Sequence, residues 1–398
     1  MTENPAVTAF REYLRIRTDQ PNPDYNAAVE FLKEQATGRL GLPVEIYGTS
    51  ENPIVVIKWA GSDPNLPALM LNSHMDVVPV FQDKWSHDPF AAEKTEDGKI
   101  YARGSQDMKS QGMQYIEAVL KLKKEGFTPL RNVLITFVPD EENGGHEGMK
   151  KFVETDEFKA LNVGFAIDES CASPLDLYVV FFDERSNWAV EVSCPGATGH
   201  GSAHMKNTAG EKARVVLDEF FDFRKTEGAK LDGKPIPEIE LAKITTVNLT
   251  IVQGGIQPNV LPDEIKITFD IRVSIDEDHE RFYEWIQSVM KKAGEGVEAK
   301  FIRREGKGIP TKVDESNKFW VALESSIHKM GADVIAIACP GNTDGRFLRW
   351  AGVPTLGFTA LKNHPRLLHE HDEYISEKAF LEGIGTYTEA IRAMATVE

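Results

Sequence analysis

The sequence predicts an α/β protein: a mixed, largely parallel sheet covered by helices, with a smaller α+β domain inserted into it. Three observations point there. Apolar, β-branched runs of strand length alternate with segments of helical periodicity. From about residue 186 the texture changes to stretches that alternate apolar and polar residues, and near 305 the first texture returns. At 398 residues the chain also exceeds one ordinary domain.

Helical periodicity covers 5–16, 26–38 and 108–124, then 208–225 and 277–293, then 315–330 and 376–394. In the first of these, Val7, Phe10 and Leu14 share one face. The strand-like runs are PIVVIKWA (53–60), ALMLNSH (68–74), VLITFVP (133–139), GFAIDE (164–169) and LYVVFFD (177–183). Strands alternating with helices imply a sheet covered on both faces. NWAVEVSC, ITTVNLTIVQGG and EIKITFDIRVS instead alternate, as strands with one open face do. The expected division is 1–186 and 305–398 for the main domain and 187–304 for the insertion.

Sixty-two Asp and Glu against 45 Lys and Arg give a formal charge of −17. Nucleic-acid binding runs on basic patches, so this balance argues against it, and it disfavours anionic membranes. An anionic small substrate stays open, because a few arginines in a cleft override the overall field. Three widely spaced cysteines (Cys171, Cys194, Cys339) make no disulfide framework, which favours a reducing, cytoplasmic setting. The first residues lack a basic stretch followed by an apolar one, and no apolar run approaches the roughly 18 residues of a membrane span.

The chemistry gathers at strand ends. VLITFVP runs straight into Asp140, Glu141 and Glu142, followed by Gly144 and Gly145. ALMLNSH ends on His74, with Asp76 just after; Asp107 heads the 108–124 helix; GFAIDE ends on Asp168 and Glu169. Each alone has an ordinary explanation: a half-buried histidine, an N-cap, a solvated turn. Together they fall where loops converge beyond the carboxyl ends of strands in an open α/β sheet. Carboxylates packed that closely resist ionising unless something positive sits among them. One or two divalent cations resolve the repulsion, and imidazole with carboxylate is a good set for zinc.

The ordered motifs SHMDVVP, YARGSQDMK, VPDEENGGHEGM, FAIDES and LLHEHDEYI resemble those of the M20 metallopeptidase family, and the resemblance extends over nearly the whole chain. It implies a zinc-peptidase-like catalytic domain with an inserted lid and dimerisation domain, two zinc ions per subunit, and a homodimer. By motif, the ligands would be His74, Asp107, Glu142, Glu169 and His369. Asp107 would bridge, with His74 and Glu169 on one ion and Glu142 and His369 on the other. The family pattern sets the ligand histidine four residues before a glutamate, here Glu373, which selects His369 over His371. Asp76 would orient His74, and Glu141 would be general base and acid toward a metal-activated water. The peptide after the bridging aspartate is usually cis in the family.

In the insertion, His200 of GATGHGSAH would help stabilise an oxyanion, apparently from the neighbouring subunit. Asn259 of GGIQPNVLPDE would meet substrate, while Arg272 of FDIRV and Arg346 of GNTDGRFLR would hold its carboxylate. Arg349, one turn beyond Arg346, is the competing candidate. Within the family the resemblance is strongest to members that hydrolyse N-acyl-L-amino acids to a carboxylate and a free L-amino acid. The alternatives are a dipeptidase and a non-catalytic binder of amino-acid conjugates; retention of Glu141 argues against the last.

Overall fold

The structure, a computed structural model, describes residues 3–234 and 237–398. The chain forms two compact units. One holds residues up to Phe182 with Ile309–Ile337 and Thr343–Glu398; the other holds Asp183–Gly308 and Ala338–Asn342.

The first unit is built on an eight-stranded sheet in the order Val44–Gly48, Pro53–Trp59, Val133–Val138, Ala68–His74, Val163–Asp168, Thr355–Phe358, Leu177–Glu184, Asp333–Cys339. The four strands from Val133–Val138 to Thr355–Phe358 run parallel; Pro53–Trp59, Val44–Gly48 and Leu177–Glu184 join antiparallel. Every residue of Ala68–His74 and Val133–Val138 is buried. That is why these runs read as continuously apolar: helices cover both faces. Val7, Phe10, Tyr13 and Leu14 from Pro5–Arg15 pack in one core with Leu69, Leu71, Ile135 and Phe137. Ile54, Met70, Leu134 and Phe152 fill a second core. Each fully buried side chain of this kind contributes roughly 1.5–3 kcal/mol relative to exposure.

The Lys109–Lys124 helix reaches the sheet at Gly112, where a Cβ would lie 2.6 Å from Phe137 and 2.8 Å from the Ser73 hydroxyl. Only glycine lets the helix start this close to the strand that ends on His74. The seven segments with helical periodicity are helices: besides these two they are Tyr25–Glu34, Ala209–Ala229, His279–Ala293, Lys318–Lys329 and Glu377–Met394. The expected 26–38 helix changes pitch at Gln35, where one wide π-helical turn (Gln35–Leu40) ends on Gly41.

The second unit is a four-stranded antiparallel sheet in the order Thr246–Gly254, Glu264–Val273, Ser186–Pro195, Glu298–Arg304. Ala209–Ala229 and His279–Ala293 supply Val216, Phe220, Phe282 and Ile286 to a core with Trp188, Val190, Phe269 and Ile271. Thr246–Gly254 is an edge strand, and its Leu249, Ile251 and Val252 are exposed.

Candidate metal centre

Parallel pairing sets the site. His74 stands beside Val138 and Leu71 beside Ile167, so three parallel strands end at one edge of the sheet. His74 closes the first of these strands, Glu141 and Glu142 follow the second in a short 3₁₀ turn, and Glu169 follows the third. The turn is entered through Asp140 at φ 70° and left through Gly144 at 97° and Gly145 at 66°. At Gly145 a Cβ would also lie 2.2 Å from Asp344 Oδ1, so no larger residue fits. Asp107 heads the Lys109–Lys124 helix across a cis Asp107–Met108 peptide. His369, at φ 63°, enters from the loop before the Tyr374–Ser376 strand.

The aspartate sits between the histidines. Asp107 Oδ1 lies 3.0 Å from His74 Nε2, and Oδ2 lies 3.2 Å from His369 Nε2. On the His74 side Glu169 Oε2 is 3.8 Å from Nε2; on the His369 side Glu142 Oε2 is 3.2 Å from Nε2. Donor atoms of His74, Asp107 and Glu142 lie within 4.8 Å of one another, as do those of His74, Glu141 and Glu169. The six residues thus make one cluster: His74 belongs to both metal-capable groups, and Asp107 links the His74 side to the His369 side.

His74 Nδ1–H donates to the Asp76 carbonyl at 2.8 Å, which leaves Nε2 to face the acids, the tautomer a ligand needs. The Asp76 carboxylate, 3.7 Å from Nδ1, is committed elsewhere. Its oxygens accept the N–H groups of Glu141 at 3.1 Å and Glu142 at 3.2 Å, and the Gln20 amide at 2.8 Å. Asp76 therefore ties the His74 strand to the turn that carries both glutamates.

The electrostatics of the cluster favour added positive charge. Burial, reinforced by neighbouring carboxylates, holds Glu141 and Glu169 far above the usual carboxylate range and pushes Glu142 up to about 7. Burial opposes charge on Asp107 too, but hydrogen bonds from His369 and His74 outweigh it and keep it ionised. His74 is raised because the charges and hydrogen bonds of Glu169 and Asp107 outweigh its burial, and hydrogen bonds to Asp107 and Glu142 lift His369 to about 10. Apart from that of Asp107, all of these shifts favour bound protons, which a cation would displace. Glu142 Oε1, buried, has no hydrogen-bond partner. An orphaned carboxylate oxygen, two imidazoles and three further acids fit divalent first-row cations.

Cation uptake must therefore expel protons. His369 gives one up at any pH below about 10 and Glu142 below about 7. Both groups are raised on folding, so their contribution to metal-free stability is full below 4.5 for Glu142 and 6.5 for His369. It is lost as pH climbs through the folded values. Asp107 runs the other way, but its window lies below 3.8. We expect calorimetric metal titrations at pH 7, in buffers of different ionisation enthalpy, to show about two or more protons released per chain. Affinity should rise from pH 5 to 8 while the metal-free protein becomes less stable. A flat affinity over that range would contradict this electrostatic account.

The other candidates are placed as follows. Arg346, buried in the first unit, donates to the Thr343 carbonyl and, at 2.8 Å, to the Gly144 carbonyl of the glutamate turn. Arg349 donates to the Thr355 carbonyl at 3.1 Å. His371 stacks edge-on against Phe81, and Cys171 is a buried free thiol; neither belongs to the metal-capable groups found among the described residues. His200, Asn259 and Arg272 belong to the second unit. His200 pairs with Val260 in a two-stranded ribbon, and its Nδ1 accepts the Ser202 N–H at 3.2 Å; the Gly201 N–H donates to the Asn259 carbonyl at 2.8 Å. Arg272 is gripped by Asp270 through Nε at 3.0 Å and Nη2 at 3.3 Å, and donates to Asn342 at 2.8 Å. Sequence reasoning passed over Gln20 and Arg103, whose bonds to Asp76 and Glu373 lie across long loops that no spacing rule reports.

Fold and cluster together define a metallohydrolase of the open-sheet type, and the family follows. Residues 70–393 match the family described as Peptidase family M20/M25/M40, and the chain belongs to it. Aminoacylase-1 of Sus scrofa is 45% identical over 396 residues, covering 99% of this chain and 96% of that one. Aminoacylase-1 of Dictyostelium discoideum is 39% identical over 410 residues, covering 100% and 99%. Among solved structures, an M20 family metallo-carboxypeptidase from Sulfolobus solfataricus shares the fold at a TM-score of 0.79 and 18% identity, covering 99% of this chain and 100% of that one. A Bacillus subtilis protein described as a dinuclear metal binding peptidase of the M20 family superposes at 0.69 with 16% identity, covering 98% of each. Among the described residues no helix is long and apolar enough to cross a membrane.

Proposed function

We propose that the protein is a dizinc aminoacylase that cleaves the amide bond of N-acyl-L-amino acids, releasing a carboxylate and a free L-amino acid. The observation that carries this is full-length identity of 39–45% to Aminoacylase-1 from several species. His74 and Glu169 would hold one zinc ion, Glu142 and His369 the other, and Asp107 both. Bound there, the ions supply Lewis acidity, lowering the pKa of water and polarising the scissile carbonyl.

Glu141 is the acid of the cluster with no ligand duty in this scheme. It removes the proton from the attacking water and delivers it to the leaving nitrogen. Burial gives its carboxylate a high proton affinity, which suits a group that must take a proton and then hand it on. Asp76 fixes the backbone of Glu141 and so aims it. His200 carries its free proton on Nε2, since Nδ1 accepts from Ser202, and is suited to donate to an oxyanion. Arg272, oriented by Asp270 and Asn342, and Arg346 are assigned to the substrate carboxylate, and Asn259 to the substrate amide region.

We further propose a homodimer and a cytoplasmic setting. The exposed edge strand Thr246–Gly254, with its row of apolar side chains, is the kind of edge that a second chain covers. The three buried cysteines are all free, as in a reducing compartment. The substrate assignment is tested by initial rates on N-acetyl-L-methionine and on the dipeptide L-alanyl-L-methionine. The acylated amino acid should be cleaved and the dipeptide turned over far more slowly. Faster cleavage of the dipeptide would assign the chain to the dipeptidases.

A further inference from the structure

The Glu373 carboxylate is fully buried and receives five donors, all from the segment that ends on Asp107. Oε2 accepts the Gly104 N–H at 3.0 Å and Arg103 Nη1 at 2.8 Å; Oε1 accepts the N–H groups of Gln106 at 2.6 Å and Asp107 at 3.3 Å and the Ser105 hydroxyl at 3.4 Å. Arg103 then reaches back to the segment that Glu373 belongs to, donating to the carbonyls of Glu370 at 3.2 Å and His369 at 3.3 Å. Gln106 adds two bonds of the same kind, accepting the Leu367 N–H at 3.1 Å and donating to the Tyr374 carbonyl at 2.8 Å. The loop that presents Asp107 and the loop that presents His369 are thus laced together, with Glu373 at the knot.

We propose that Glu373 is a positioning residue that locks Asp107 and His369 into a pre-formed pair for one cation. The inference rests on the metal-site reading above. Four of the five groups that meet Glu373 can only donate, and they face both of its oxygens, so only a carboxylate satisfies them; a glutamine would turn its NH₂ against an N–H on either side. His74 and Glu169 are carried instead by the ends of the Ala68–His74 and Val163–Asp168 strands. Asp107 faces both lobes and His369 only one, so loosening the knot weakens the His369 lobe more than the His74 lobe.

The test is a zinc titration against a chromophoric chelator for the parent, Glu373→Gln and the milder Arg103→Lys, with melting of each metal-free protein. The parent should take up two equivalents. In Glu373→Gln the first should bind within a few-fold of the parent and the second about 10–100-fold more weakly, with kcat falling more than KM changes. Arg103→Lys should lie between. Unchanged affinity at both equivalents, or an equal loss at both, overturns the proposal even if the metal-free melting temperature drops, since that is what a merely structural role gives. If Glu373→Gln does not fold, Arg103→Lys decides by the same criterion. A parent that binds no zinc overturns the metal-site reading itself, which is a separate and visible failure.

Discussion

Replacing Glu141 with glutamine should leave the protein folded and metal-loaded while kcat on N-acetyl-L-methionine falls by about 10²–10⁴-fold. The substitution keeps shape and removes only the ability to take up a proton. Glu141 lies in a metal-capable group with His74 and Glu169, so a second outcome is distinct and readable. If the variant loses metal in step with activity, Glu141 is a ligand and the base lies elsewhere. The backbone of the turn is held by Asp76 rather than by the Glu141 side chain, so the neighbouring Glu142 should stay in place. Zinc content per chain and kcat, measured on the same preparation, separate the two roles.

Asp107→Ala should be the most damaging change at the site. One carboxylate faces both histidines, at 3.0 and 3.2 Å, so in the proposed site its removal would cost each lobe a ligand at once. A cation's polarisation of its substrate is worth several kcal/mol, so activity should fall on the order of 10³-fold or more. The variant should bind neither zinc equivalent tightly. Retention of one tight equivalent with measurable turnover would show that the lobes are independent and that Asp107 does not join them.

Much of this was legible in the residues. The long buried strands ending on His74 and leading to Glu142 and Glu169 announce themselves, because burial on both faces demands unbroken apolar runs and a charge at the end of one is conspicuous. Asp107 and His369 are harder: one sits at a helix head, the other in an irregular loop, and only the motif context singles them out. The Asp333–Cys339 and Thr355–Phe358 strands were missed; the second has only four residues and is bounded by turns that mask its periodicity. The role of the Asp76 carboxylate was also hidden. Proximity to His74 suggests a partner for the imidazole, yet its oxygens serve the Glu141 and Glu142 amides while its own carbonyl serves the ring. Backbone partners of this kind leave no mark in a sequence, which is equally why Arg103 and Gln20 went unseen.

The measurement that bears most directly on the central claim is metal content with activity on one preparation: as isolated, after chelation, and after stepwise return of zinc. The account predicts about two zinc ions per chain, loss of N-acetyl-L-methionine hydrolysis on stripping, and recovery that is complete only with the second equivalent. Full activity in the stripped protein, or a fully loaded protein inert toward N-acyl-L-amino acids, would contradict it.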